Sequence, residues 1–225
     1  MTGRKFKFHA GILVLLLALF VSSISSTYGY WLGPAPFTGA VTNSLAIGDW
    51  FFARQYSTGF EGYTNTTYGT YTNQNIDGKL WDFSQVITAT DSADSYFGTR
   101  GLRFRNTSYI QSKDSYYGLE SISFYFGDVR GGFFNIGTSG FNVQISNDGS
   151  SWTTIYSANA STSFPLISIN VENIISGGYT LGNGAVVDME SDLYIRINFT
   201  GAGLFQDRLV NMDNLTIDYR SVVNS

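Results

Sequence analysis

The chain has 225 residues, 43% of them hydrophobic, 16% aromatic and only 13% charged, with no cysteine and a formal charge of −4. Its one histidine is His9, and three of its 13 Lys and Arg are Arg4, Lys5 and Lys7, so ten bases face 17 acids over the rest of the chain. An acidic chain of this kind offers no basic surface to track a phosphate backbone, which excludes nucleic acid as a partner. Past His9 it also cannot build a Ser-His triad, a cysteine nucleophile, a His/Cys zinc site or a disulfide.

The opening MTGRKFKFHAGILVLLLALFVSSISS places a positive cluster ahead of an uncharged apolar run, Ala10 to Val21, with small residues after it. This predicts a secretory signal over residues 1–29, cut after Ser26 or Gly29, because the run falls short of the roughly 20 apolar residues of a spanning helix. Retention as an uncleaved anchor is the alternative. No other stretch is apolar enough to cross a bilayer, so no further membrane contact is expected. Export without disulfides leaves the remaining chain, on the order of 195 residues, to rest on its hydrophobic core, and that length suffices. The absence of Cys fits a bacterial cell surface better than an animal secretory pathway.

Beyond the signal, residues 30–55 read as an N-terminal hairpin or as the first strands of the following domain. Strand patterns recur at Leu45–Ala53, Leu80–Thr88, Leu102–Asn106, Ser121–Phe126, Phe141–Ser146, Thr153–Ser157, Leu166–Val171, Tyr194–Phe199 and Asn214–Tyr219. Asp77-Gly78, Asp128 to Gly132, Asp148-Gly149, Gly177-Gly178 and Gly182-Asn183-Gly184 punctuate them. In FNVQISNDGSSWTTIY (141–156), Phe141, Val143 and Ile145 alternate with polar residues and Asn147-Asp148-Gly149 supplies the turn. Many short alternating strands with such turns predict an all-β fold, an antiparallel β-sandwich of jelly-roll type over residues 56–220. Trp81 and Trp152 are expected in its core, with Trp152 closing the sandwich over its hairpin.

The succession GFEGY (59–63), GKLWDFSQV (78–86), GTRGLRFRNTSYIQS (98–112), GLESISFYFG (118–127), FNVQISNDGSSWTTI (141–155), LYIRINF (193–199) and VNMDNLTIDY (210–219) resembles bacterial extracellular jelly-roll modules of the carbohydrate-binding kind. TYGYWLGPAPFTGAVTNSLAIGDW (27–50) is similar, more weakly, to the mature start of exported proteins of the camelysin and biofilm-fibre type. The first resemblance implies a role for Glu61 and Asp213. First and last strands of a jelly roll commonly lie side by side, and related modules use an early Glu and a late Asp to hold Ca²⁺, a hard cation that takes carboxylate and carbonyl oxygens; the competing reading is that Asp213 caps a turn and Glu61 is solvated.

Three other features bear on function. Tyr and Phe total 33, and several sit in polar turns: Tyr96 and Phe97, Tyr116 and Tyr117, and Tyr179. Exposed rings stack on sugar C–H faces while polar neighbours bond the hydroxyls, so these five are the expected ligand-binding residues; their bland alternative is strand and turn-flank propensity. Asp188, Glu190 and Asp192 alternate, and in an extended strand they would share one face, as the paired carboxylates of a retaining glycosidase do; a solvated loop is the competing reading. Sequons at Asn65, Asn106, Asn159, Asn198 and Asn214 are no more than an Asn- and Thr-rich chain produces by chance. DVRGG (128–132) precedes no helix and so makes no phosphate loop. The expected function is extracellular, non-catalytic binding of a glycan or surface polymer. A structural matrix or surface-assembly protein and a jelly-roll glycoside hydrolase acting through Glu190 with Asp188 or Asp192 are the alternatives.

Overall fold

The computed structural model describes residues 51–127, 139–161, 163–201 and 209–222. The expected signal, the segment 27–50 and the Gly-rich 128–132 lie outside the described residues. Strands account for nearly all regular structure. They are β1 (Phe51–Thr58), β2 (Thr70–Ile76), β3 (Lys79–Ala89), β4 (Gly101–Ser112), β5 (Tyr116–Tyr117), β6 (Ser121–Gly127), β7 (Ser139–Ser146), β8 (Thr153–Asn159), β9 (Leu166–Asn170), β10 (Tyr179–Thr180), β11 (Val186–Val187), β12 (Asp192–Gly201) and β13 (Leu209–Val222). A four-residue helix, α1 (Glu172–Ile175), follows β9.

The strands pair antiparallel in an order that is not sequential, β8-β7-β12-β4-β13-β6-β9, as expected of a jelly roll. Hydrogen bonding is continuous along this order because β4 serves two layers. Its Thr107–Gln111 half pairs with β12, and its Leu102–Arg105 half pairs with β13. Strand β3 follows β4 through the bend by a bulge at Gln85, whose φ of 55° breaks the register between Ser84 and Val86. One layer is therefore β8-β7-β12-β4-β3-β2, and the other is β4-β13-β6-β9 with β1 along the outer half of β13.

Alternation decides what each layer buries. Along β12, Leu193, Ile195, Ile197 and Phe199 are buried while Tyr194, Arg196 and Asn198 are half-buried on the opposite face. Ring contacts then join strands that share no hydrogen bonds. Phe126 of β6 lies 4.6 Å from Phe141 of β7 and 6.4 Å from Phe199 of β12, and Phe124 lies 5.5 Å from Phe141. Those contacts stack the two inner faces, so the chain is an antiparallel β-sandwich. Trp81 is fully buried, with its Nε1–H donating to the Tyr56 hydroxyl at 3.2 Å. Trp152 is not in the core: it is half-buried and packs on the outward-facing Arg196.

Strand β2, TYTNQNI, has no apolar alternation and was invisible to pattern. It buries only Ile76 and is held as an edge strand by β3. Strand β13 exceeds its expected span because its first half, LVNM, is also strand; a bulge between Asp213 and Thr216, with Asn214 at φ 50°, separates the two halves.

Since Phe126 touches both layers, truncating it opens a cavity at their contact. Phe126→Ala is expected to lower unfolding stability by about 3–5 kcal/mol in chemical denaturation. A loss below about 1 kcal/mol would mean the layers do not depend on this contact.

Candidate functional site

The outer face of the first layer carries an unbroken cross-strand row. Register places Thr154 of β8 opposite Gln144 of β7, Gln144 opposite Arg196 of β12, Arg196 opposite Gln111 of β4, and Gln111 opposite Asp82 of β3. Period-two alternation puts all five side chains on the face opposite the core. They bond along the row. Gln144 Nε2 donates to Thr154 Oγ1 at 3.1 Å, Arg196 Nε and Nη2 donate to Gln111 Oε1 at 3.0 and 2.6 Å, and Gln111 Nε2 donates to Asp82 Oδ2 at 3.2 Å. Asp82 also accepts the Asn73 backbone N–H at 2.8 Å and has Lys113 Nζ at 3.8 Å. The next row outward is Asn142, Asn198, Tyr109 and Ser84.

Two rings complete this face. The Arg196 guanidinium carbon lies 4.6 Å from the centroid of Tyr109 and 4.2 Å from that of Trp152. Trp152 reaches this position through its turn. Ser146 Oγ accepts the backbone N–H groups of Asp148 and Gly149, Asp148 Oδ1 accepts those of Ser150 and Ser151 at 2.7 Å, and Gly149 takes φ 70°. These donors hold the Asp148 carboxyl well below the ordinary carboxylate range, the Ser151 and Ser150 N–H groups first among them. The turn folds back over the sheet, with Gly149 against the Tyr194 ring and Trp152 against Arg196. Burial draws the Arg196 guanidinium pKa down, with Tyr109 opposing, and no carboxylate among the described residues pairs with it. Tyr109, Gln111, Gln144, Trp152 and Arg196 were missed as a set in the sequence, because only pairing register brings them together.

The five rings expected to bind ligand do not share a surface. Tyr116 is fully buried between Tyr56 and Tyr219, at 6.4 and 5.1 Å, and burial pushes its hydroxyl pKa up, so it is a core residue and not a stacking platform. Tyr117 is half-buried and stacks on Phe51 at 5.8 Å. Tyr179 packs against the core beside β11. Tyr96 is half-buried. Phe97, 44% exposed, joins Tyr125 at 4.6 Å and Phe164 at 5.9 Å on the second layer.

Glu61 and Asp213 border the same segment, Tyr96–Gly101. Antiparallel pairing of β1 with β13, ending at Thr58 opposite Leu215, brings the turn after β1 to the β13 bulge. Glu61 accepts the Thr99 backbone N–H at 2.9 Å and the Thr99 hydroxyl, and those bonds lower its pKa. Asp213 is fully buried and accepts the N–H groups of Phe97 at 2.6 Å and Asn214 at 2.7 Å. Burial nevertheless raises its pKa to about 6, with the Glu61 charge adding to the rise. A Cβ added to Gly59 would lie 3.4 Å from Asn214 Oδ1, 3.8 Å from Asp213 Oδ1 and 3.9 Å from Glu61 Cγ. At Gly98, φ 72° favours glycine, and an added Cβ would also displace the end of the Glu61 side chain. The acceptors that meet here are oxygens, the ligand type a hard cation takes, although each carboxylate oxygen already accepts a hydrogen bond from Thr99, Phe97 or Asn214, and no ion pair among the described residues reaches Asp213.

The acids proposed for hydrolysis do not form a row. Asp188 Oδ1 accepts the Glu190 backbone N–H at 2.9 Å and the Ser191 hydroxyl at 3.0 Å, which makes 188–191 a turn, and Asp192 begins β12. The extended spacing that would set the three carboxylates on one face is absent, and the pairing on which a hydrolase reading depended goes with it.

No protein-family model and no curated protein matches the chain. Among solved structures it is similar to the K1 cleaved adhesin domain of Lys-gingipain from Porphyromonas gingivalis W83, at 10% identity and TM-score 0.46, covering 73% of this chain and 97% of that one. It is also similar to the family 11 carbohydrate-binding module of Clostridium thermocellum in complex with a β-1,3-1,4-mixed-linked tetrasaccharide, at 15% identity and TM-score 0.40, covering 73% and 94%. A family 35 carbohydrate-binding module from the same organism aligns at 13% identity and TM-score 0.36, covering 66% and 95%.

Asp213 gives the acidic junction a pH signature. Below the ordinary Asp pKa the carboxyl is protonated in both folded and unfolded chains and costs nothing. As pH rises the unfolded carboxyl ionises first, and stability falls until the folded pKa of about 6 is passed. In chelator, wild-type stability should therefore drop between pH 4 and 7 relative to Asp213→Asn. Parallel stability curves for the two proteins would show that Asp213 does not titrate this way.

Proposed function

We propose that this protein is an extracellular, non-catalytic glycan-binding module whose ligand lies across the outer face of the β8-β7-β12-β4-β3 layer. The observation that carries this reading is the row Thr154–Gln144–Arg196–Gln111–Asp82 with Tyr109 and Trp152 beside it. A sugar presents hydroxyls that both donate and accept around the ring and C–H groups on its faces. The row supplies amide, hydroxyl and guanidinium groups in fixed register, with the buried Asp82 carboxylate anchoring Gln111 at its end, and the rings supply apolar area without flexible side chains to order. Strands hold the groups rigidly, so little entropy is lost on binding.

Calcium belongs to the same reading as a structural ion. Glu61 and Asp213, with Asn214 Oδ1 beside them, would hold it, pinning the turn after β1 to the β13 bulge. The ion supplies positive charge to two carboxylates that otherwise disfavour each other's ionisation. It would sit apart from the sugar row and take no part in chemistry.

Two outcomes are expected. In affinity electrophoresis against a polysaccharide panel, Tyr109→Ala and Arg196→Ala should each weaken binding at least tenfold while keeping the wild-type far-UV spectrum; undiminished retardation of both variants would rule out this face. Calcium at a hundredfold excess over its dissociation constant should stabilise the wild type by about 2.7 kcal/mol. Asp213→Ala and Gly59→Ala should both lose that response, the second by filling the space between the oxygens. If chelator and millimolar calcium give superimposable wild-type melting curves, the ion has no place here.

A further inference from the structure

The bonding of Arg196 points to a class of sugar. The guanidinium directs Nε and Nη2 at one oxygen, Gln111 Oε1, so one edge of its plane is committed. Tyr109 and Trp152 lie against it at 4.6 and 4.2 Å and restrain its orientation, and no hydrogen bond among the described residues uses Nη1. The other row charge does not neutralise it. Asp82 is one amide removed, accepting from Gln111 and Asn73 with Lys113 beside it. Two other half-buried arginines have acids, Arg103 with Asp94 and Asp91 and Arg220 with Glu120 and Glu172, whereas Arg105 lies 4.1 Å from the Tyr68 ring and donates a single bond to Gln85 Oε1 at 3.2 Å. Arg196 has no acid among the described residues, although burial penalises a cation without a counter-charge.

Resting on the glycan-binding reading above, we infer that the ligand is an acidic polysaccharide, with the carboxylate of a uronic acid accepting two in-plane hydrogen bonds from the Nη edge of Arg196. Two parallel N–H···O bonds match a planar carboxylate and no neutral sugar group, and a carboxylate also supplies the missing counter-charge. The amide row on either side would bond the ring hydroxyls, and Tyr109 and Trp152 would also hold the guanidinium in place.

The test is affinity electrophoresis of the full exported chain in chelator, which removes calcium bridging. The gels contain polygalacturonate, alginate or a glucuronan, each run beside the same polymer with its carboxyl groups methyl-esterified. At least one acidic polymer should retard the protein tenfold more strongly than its ester. Arg196→Lys, which keeps the charge and loses the fork, should reduce that ratio towards one, with near-UV circular dichroism checking its fold. Equal or stronger binding of every ester overturns the acidic-sugar assignment while leaving glycan binding intact. An acid preference unchanged in Arg196→Lys overturns the role of the fork. Binding to no polymer, charged or neutral, overturns both readings.

Discussion

A twelve-residue strand that pairs with β13 along its first half and β12 along its second must bend, and the bend of β4 sets where both layers stand. It bends without losing parity. Leu102, Phe104, Ser108, Ile110 and Ser112 are all buried, so odd-numbered residues face outward on both layers. Strand β3 cannot do the same and inserts Gln85 as a bulge to stay in register. Parity also costs polar burial. The Ser112 hydroxyl oxygen accepts the Ile195 N–H at 2.9 Å, whereas Ser108 Oγ finds no hydrogen-bond partner among the described residues. An unmade buried bond costs about 1–3 kcal/mol, which the sandwich must offset elsewhere.

Two outward-facing arginines, Arg103 of β4 and Arg196 of β12, keep different company on the two layers. Arg103 faces outward on the second layer, where Asp94 and Asp91 raise its pKa against the effect of burial. Its partner Asp94 ties the loop after β3 to β4, and Asn211 holds that loop further through the Ser95 N–H at 3.2 Å. Opposite Gln111 of β4, on the first layer, Arg196 meets aromatic faces and one amide oxygen instead. Ring faces attract a cation by about 0.5–2 kcal/mol, less than a buried carboxylate would and without its directionality. One arginine is a finished structural contact; the other keeps hydrogen-bonding capacity at the surface of a rigid sheet.

The acidic junction follows from strand exchange along β13. Where β4 stops pairing and β1 takes over, the bulge at Asp213 and Asn214 leaves backbone groups outside the ladder, and the segment after β3 folds over them. Phe97 N–H enters Asp213 while its ring joins Tyr125 and Phe164 on the surface. A buried acid with two backbone donors and an acidic neighbour is balanced between neutral and charged forms. That balance is what makes the junction responsive to protons.

Alternation in Phe141–Ile145 and Leu193–Phe199, with Asp-Gly turns between strands, was enough to specify an antiparallel sandwich, because a period of two leaves one buried face per strand wherever the strand sits. Composition alone excluded His- and Cys-based chemistry. The pairing of early Glu61 with late Asp213 came from resemblance, since no local pattern links residues so far apart. Alternation could not say which strands are neighbours, and the binding row is a property of neighbours. Thr154, Gln144, Arg196, Gln111 and Asp82 come from five strands, and a shift of one residue in any pairing would scatter them. Aromatic residues misled for the same reason. Tyr116 in a polar turn is drawn inward by Tyr56 and Tyr219, while Trp152, beside an apolar strand, is turned outward by the Asp148 turn onto Arg196. Sequence determined which face of each strand is wet; tertiary pairing decided what those wet faces spell, because register is fixed by packing between strands and not within them.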